Sequence, residues 1–333
     1  GIKPVMITGD HQNTAVAIGK DLGIFNNDDL CLTGLALDKM SDEELMKVIH
    51  KVSIYARVSP EHKIRIVKLW QRSNGIVAFV GDGINDAPAI RQANIGISMG
   101  KSGTEVSKDA SSIILTDDNY YTIIKAVKNG RKIYNNIQNA IMFLLSGNAA
   151  GILLVIYTSI LALPIPFEHL LANNELVIPD GDDDLLKRPP RKINASLLTN
   201  RVIKIILFEG VLIAFFTIFS YYVGLKTNQY VARTCVFGTL CMARLFHSFN
   251  CRGTKSIFKN KVKNKAMIGS FFLGMLLINL VLFASPLQSI FKTYDLTKLQ
   301  ISYMFLFAIM PTIIIQLLLL FRQSKRNKKQ GNR

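Results

Sequence analysis

The sequence predicts two architectures in one chain: an α/β domain with a parallel, doubly wound sheet, followed by an α-helical transmembrane bundle. Three observations carry this expectation. Over the first 130 or so residues, short apolar runs alternate with charged segments of helix length, the pattern of repeated βα units. Beyond them lie apolar runs that reach the roughly 20 helical residues needed to cross a bilayer core. The 333 residues are 49% hydrophobic, with a mean hydropathy of +0.26, too apolar for an ordinary soluble protein of this length.

Taken in order, Val5–Thr8 reads as a strand, 12–22 as a helix, 42–50 as a helix, Ser53–Ala56 as a strand and 60–72 as a helix. A strand at Ile76–Val80 leads into a loop and helix through 81–93, then short strands near 95–98 and 112–115. A long helix starts near 119. Four spans follow at about 139–163, 203–224, 268–290 and 301–321, with a weaker fifth at 231–250 that carries Arg233, Arg244 and His247. The expected boundaries are a soluble domain at 1–118, a stalk and first span at 119–163, an irregular region and loop at 164–200, four spans within 201–321, and a basic tail at 322–333.

The net charge of +17 sits in segments beside the apolar runs: Lys187–Lys192, Cys251–Lys255 and Arg322–Arg333. That placement marks cytoplasmic loops of a multi-pass membrane protein. With no basic face interleaved with aromatics in the soluble part, nucleic acid is excluded as a partner. The expected partners are the lipid bilayer and a transported cation, with no obligate protein partner evident. The four cysteines, Cys31, Cys235, Cys241 and Cys251, form no CxxC pair and predict no disulfide framework. The chain opens at Gly1, directly ahead of an apolar strand and without a signal peptide, so it reads as truncated.

Ligands of a doubly wound sheet bind beyond the carboxyl ends of its strands, and three polar groups fall there. Thr8-Gly9-Asp10 follows the first strand; a hydroxyl and backbone amides at a strand-to-helix turn suit phosphate oxygens, although Asp10 equally suits a helix cap. Gly81-Asp82-Gly83-Ile84-Asn85-Asp86-Ala87-Pro88-Ala89 follows the strand ending at Val80. Its two carboxylates, four residues apart, suit Mg²⁺, which takes one or two carboxylates plus phosphate oxygens. Asp82 is the better placed ligand, with Asp86 binding directly or through water. Lys63, near the start of a helix after Arg57-Val58-Ser59-Pro60, offers a point cation for a transferring phosphoryl group, against the plainer reading of a solvated surface lysine.

In this order and in these words, Met6–Asp10, Ala56–Lys63 and Gly81–Ala89 resemble the haloacid dehalogenase-like phosphotransferases, and more narrowly the phosphorylation domain of P-type cation-transporting ATPases of the calcium type. The stretch from Asp117-Asp118-Asn119 to Asn136 is similar to the link into that family's fifth membrane helix. The resemblance implies that Thr8, Gly9 and Asp10 contact the phosphoryl group, that Lys63 stabilises its charge, that Asp82 and Asp86 hold Mg²⁺, and that Asn85 orients the site. It also implies ATP as the phosphoryl source and Ca²⁺ as the exported ion, with Mn²⁺ or Na⁺ as alternatives. The family's nucleophilic Asp, in its DKTGT motif, is not among these residues. A remnant without transport activity is therefore the competing reading. The soluble domain is expected in the cytoplasm and the spans in the plasma membrane.

Within the spans, Asn148 matches a cation ligand of the calcium pumps, while Gly151 stands where two-ion pumps carry a Glu. Arg244 falls where those pumps have another acidic ligand. The exchange implies a single ion site whose second position is filled by a guanidinium; the alternative is that Arg244 snorkels to the interface. Between 164 and 186 the family has a sixth helix with an Asn-x-x-Thr-Asp motif, but this sequence lacks the apolar length for a span. An even number of crossings must separate the cytoplasmic segments, which leaves 139–163 without a return partner. Either 164–186 re-enters as a buried half-helix or the region is damaged, with Asn174 and Asp180 as displaced ion ligands.

Overall fold

The computed structural model describes residues 2–166, 196–252, 256 and 265–331. They fall into two compact units, the first ending at Asn129 and the second beginning at Gly130. Asn174, Asp180 and the Lys187–Lys192 cluster lie outside the described residues.

The first unit alternates strands and helices as expected: β1 (Met6–Ile7), α1 (Gln12–Asp21), β2 (Leu30–Thr33), α2 (Gly34–Lys39), α3 (Asp42–Val48), β3 (Val52–Ala56), α4 (Pro60–Arg72), β4 (Ala78–Gly81), α5 (Ala87–Gln92), β5 (Ile95–Met99), α6 (Glu105–Ala110) and β6 (Ile113–Leu115). Every strand pairing is parallel. The strands form two three-stranded sheets, ordered β1-β3-β2 and β4-β5-β6, where the sequence suggests one continuous sheet. The central β3 is buried along its whole length, in keeping with Val52-Ser53-Ile54-Tyr55-Ala56, which is mostly apolar and has no charged residue on either face. A core of Leu37, Leu45, Ile49, Tyr55, Ile66 and Leu69 packs on it, and Ile7 joins that core to the one around Val67, Phe79 and Ile90.

β2 and α2 are absent from the sequence expectation. Leu30-Cys31-Leu32-Thr33 is short and only half-buried, and six-residue α2 is held by contacts rather than propensity. Arg65 of α4 supplies those contacts, its guanidinium donating to the carbonyls of Leu37 and Met40 at 2.6 Å each and to Asp42 Oδ1 at 2.8 Å. α4 itself begins with a capping box. The Ser59 hydroxyl accepts from the His62 N–H, and His62 Nδ1 accepts from the Ser59 N–H at 3.1 Å.

Asp118 closes the first unit. Its carboxylate accepts from the backbone N–H groups of Gly100, Lys101 and Ser102 at 2.7, 2.9 and 2.8 Å. These donors, the Lys101 N–H foremost, hold its carboxyl at about 2, below the usual ~3.9. Because the folded value is depressed, this contribution to stability is complete above the ordinary value and is lost as pH falls toward about 2. Asp118→Asn is expected to lower the thermal unfolding temperature at neutral pH and to flatten its fall between about pH 4 and pH 2. Superimposable pH–stability curves for the two chains would contradict this.

The second unit is helical: α7 (Tyr120–Ile160, which begins in the first unit), α8 (Asn200–Leu225), α9 (Gln229–Ser248), α10 (Lys265–Phe283), α11 (Ser285–Phe291) and α12 (Lys298–Gly331). Among the described residues, α7, α8, α10 and α12 are long and apolar enough to cross a membrane. α9 has 20 residues, about 30 Å of helix, and packs on α8, α10 and α12. Its Thr234, Thr239, Arg244 and His247 are buried against these neighbours, so its low apolarity reflects protein rather than lipid surroundings.

Three expected boundaries move. The span drawn to 290 ends at Phe283, because Pro286 sits in the first turn of the separate α11, and proline cannot continue a helix from within. α7 stops at Ile160, three residues before the expected end, where Ala162 takes a left-handed conformation at φ 51°. The tail beyond 321 continues α12 to Gly331 instead of forming a separate segment.

Candidate functional site

β1 and β4 each deliver a polar turn at the carboxyl end of a strand. After β1, the Thr8 hydroxyl donates to Asp10 Oδ2 at 2.8 Å and accepts from the Asp10 N–H at 3.1 Å. The cap of α1 is His11, whose Nδ1 accepts from the Asn13 N–H; Asp10 is thus not the cap, and its carboxylate is exposed beside the Thr8 hydroxyl. The backbone here is anchored to β3, with the Thr8 N–H on the Tyr55 carbonyl at 2.9 Å and the Arg57 N–H on the Asp10 carbonyl at 3.1 Å.

After β4, Gly81–Asp86 folds into a loop and a short 3₁₀ turn at Ile84–Asp86. Lys63 Nζ donates to Asp86 Oδ1 at 2.6 Å, with both side chains about 15% exposed or less (14% and 15%). The lysine is therefore a placed cation, not a solvated one. Asp86 Oδ2 accepts the Gly83 N–H at 3.4 Å. The Asp82 backbone is fixed by its carbonyl, which accepts from the Thr104 N–H at 2.9 Å and the Ser107 hydroxyl at 3.0 Å. Asp82 and Asn85 are exposed.

This donor set fits a hard cation. Asp82 is an exposed carboxylate on a backbone held rigid, with the Asn85 amide in the same loop, whereas one Asp86 oxygen already neutralises Lys63. The oxygens are the type Mg²⁺ requires. The two aspartates thus differ in their surroundings: Asp82 is exposed, and Asp86 is half-buried on Lys63.

Gly81 is needed for this arrangement. A Cβ there would lie 2.5 Å from Asp86 Cβ and 2.8 Å from its Cγ, whereas at Gly83 the nearest atom is Asp86 Oδ2 at 3.5 Å. Gly81→Ala is expected to displace Asp86 from Lys63 and to lower the thermal unfolding temperature, while Gly83→Ala leaves it near the starting value. Thermal unfolding of the two variants checks this, and equal unfolding temperatures would count against the close packing of Asp86 on Gly81.

In the second unit, Arg244 is buried, at 8% exposure, and its Nη2 donates to Asn148 Oδ1 at 3.2 Å. It does not snorkel. A Cβ at Gly147 would lie 2.7 Å from Arg244 Nε, so the absence of a side chain there makes room for the guanidinium. Sequence reasoning brings Asn148 and Arg244 together only through a resemblance; the hydrogen bond joins them directly. It passes over Glu209, buried on α8, whose carboxylate lies 3.5 Å from His247 Nε2. A lone acid inside an apolar span is itself a signal of function.

Fold and site together define a haloacid dehalogenase-like domain joined to a bundle of membrane-length helices. Residues 1–94 match the family model of haloacid dehalogenase-like hydrolases, and residues 168–321 match that of the cation transporting ATPase C-terminus. A calcium-transporting ATPase 1 of Lactococcus lactis subsp. lactis (strain IL1403) is 44% identical over 263 residues, covering 76% of this chain and 30% of that protein. A calcium-transporting ATPase of Bacillus subtilis (strain 168) is 41% identical over 312 residues, 89% of this chain and 35% of its own length. The human calcium-transporting ATPase type 2C member 1 is 34% identical over 323 residues, 91% of this chain and 35% of its own. The chain belongs to the P-type cation-transporting ATPases. It spans between 30% and 35% of the length of these three relatives.

Proposed function

We propose that this chain supplies the magnesium and phosphate end of the catalytic domain, and part of the ion path, of a calcium-exporting pump driven by ATP. The observation that carries the reading is the Lys63–Asp86 pair at 2.6 Å, formed between α4 and the loop that carries the exposed Asp82, in a chain whose relatives bear the name calcium-transporting ATPase. The phosphoryl acceptor comes from a segment outside these residues, since no DKTGT motif occurs among them.

Asp82 would hold Mg²⁺, with Asn85 orienting the loop, and the ion would supply positive charge to phosphoryl oxygens. Lys63 places a second positive charge where negative charge builds up, and Asp86 keeps its ammonium fixed so that no reorganisation is needed during transfer. On phosphoryl binding the Thr8 hydroxyl turns its single proton from Asp10 Oδ2 to a phosphoryl oxygen, and the Gly9 backbone N–H donates to another. In the membrane, Asn148 is a calcium ligand and Arg244 occupies the place of a second ion, which favours one ion per cycle. The domain of residues 2–129 lies in the cytoplasm and the helices in the plasma membrane, with Mn²⁺ the competing cargo.

The test is calcium uptake into vesicles by the ATP-hydrolysing protein that contains this chain. ATP- and Mg²⁺-dependent uptake that falls at least about 100-fold in Asp82→Asn supports the reading. Uptake unaffected by that change, or accumulation of manganese but not calcium, overturns the magnesium role or the cargo respectively.

A further inference from the structure

A second polar cluster, used neither by the phosphoryl site nor by the Asn148–Arg244 pair, lies among the membrane helices. Glu209 belongs to α8, His247 to the last turn of α9, and Cys251 to the 3₁₀ turn Asn250–Arg252 that follows. All three are buried, and one ligand atom from each lies within 4.8 Å of the others. His247 Nε2 is 3.5 Å from Glu209 Oε2 and 3.5 Å from Cys251 Sγ. A tetrahedral zinc ion bonded at about 2.0–2.3 Å sets its ligand atoms roughly 3.5 Å apart. The two separations from His247 match that spacing, and the three ligand atoms together lie within 4.8 Å.

A second observation points the same way. Glu209 is 6% exposed, and its Oε2 lies buried within this cluster without a hydrogen-bond donor among the described residues. A carboxylate in that position is costly unless a cation compensates it. We propose that Glu209, His247 and Cys251 bind one borderline-soft divalent metal ion, with zinc the best fit, at a site distinct from the calcium path. Charge closes the argument: a carboxylate, a thiolate and a neutral imidazole around a divalent ion sum to zero, the least expensive total for a low-dielectric interior. The bound ion takes the place of the Cys251 thiol proton, which is released to solvent.

The surroundings can accommodate this state. His247 Nδ1 lies 3.2 Å from the Asn250 amide, Asn250 contacts Gln316 at 2.9 Å, and Gln316 contacts Ser256 at 2.9 Å. Which amide atom is nitrogen and which is oxygen is interchangeable along this chain. With Asn250 and Gln316 both turned over, Nδ1 donates its proton to the Asn250 oxygen, and Nε2 presents a lone pair to the metal. Ser146 Oγ, 2.8 Å from His247 Nε2, lies beside the fourth position. Calcium, which takes six to eight oxygens, is poorly served by a nitrogen and a sulfur.

The experiment uses the purified, chelator-stripped chain in detergent, titrated with Zn²⁺ or Co²⁺ alone. One Co²⁺ per chain is expected, with a thiolate-to-cobalt charge-transfer band that Cys251→Ser removes and Cys241→Ser keeps. Glu209→Gln and His247→Ala are expected to weaken zinc by more than about 10-fold, since even outer partners of metal ligands are worth that much. Asn148→Ala, which removes a proposed calcium ligand, leaves zinc binding unchanged, and excess Ca²⁺ does not displace the zinc. In the unmodified chain, which needs no variant to fold, zinc raises the unfolding temperature in a concentration-dependent way. Absence of stoichiometric binding, a charge-transfer band that survives in Cys251→Ser, or displacement by Ca²⁺ would each overturn the proposal.

Discussion

Lys63→Ala, introduced into the ATP-hydrolysing protein, is expected to slow phosphoryl transfer by roughly 100- to 1,000-fold, about 3–4 kcal/mol of transition-state stabilisation. The loss should appear in turnover rather than in ATP affinity, because the ammonium meets charge that develops during transfer. Two features make the effect large. The lysine is nearly enclosed, which strengthens its field, and its removal leaves Asp86, at 15% exposure, without its cation. Lys63→Arg is not expected to rescue it, since the ion pair at 2.6 Å leaves little room for a planar guanidinium. Rapid-quench measurement of phosphoenzyme formation and decay decides the matter; a change confined to apparent ATP affinity would remove Lys63 from the catalytic group.

The second large effect concerns Arg244. Replacing it by glutamate sets a carboxylate beside the Asn148 amide, where the guanidinium now lies 3.2 Å away. Two oxygen ligands then converge where one amide and one fixed cation stood. The number of calcium ions carried per ATP is expected to rise, with the increase read from the ratio of isotope uptake to phosphate release. An unchanged ratio would mean that Arg244 serves helix packing and not ion counting. Arg244→Met separates the two effects, since it removes the charge without adding an oxygen ligand, and it should leave the ratio as it was.

The polar turn after β4 was legible in the sequence because its parts are local. Ile76–Val80 is an apolar strand that ends in two glycines and two aspartates, and such a run specifies strand, turn and ligand type together. What sequence could not show is the ion pair that sets Asp86 apart from Asp82, which depends on Lys63 arriving from a helix 23 positions earlier. β2 escaped notice because Leu30 is exposed and the strand has only four residues, too few for periodicity to register. In the membrane part, α9 was read as a doubtful span since composition scores residues against lipid, while Arg244 and His247 meet only other helices. Glu209 and Cys251 lie more than forty positions apart, at 3.5 Å each from His247; nothing in a linear reading joins them.

The enclosure of α9 has a consequence for biosynthesis. A helix leaving the ribosome meets lipid before it meets its partners, and an arginine opposes partition, by up to roughly 2.5–3.5 kcal/mol at the centre of a span and less toward its ends. α9 carries Arg233 and Arg244 and is the long helix of this unit that falls short of the apolarity of a span. Only Lys226, Thr227 and Asn228 separate it from the strongly apolar α8, and Asn228 caps its first turn through the Tyr230 and Val231 N–H groups. The two are therefore suited to enter the bilayer as one hairpin, with α8 carrying α9 across and α10 and α12 closing over it afterwards. A chain that stops before α12 would leave uncovered the face of α9 that packs on it.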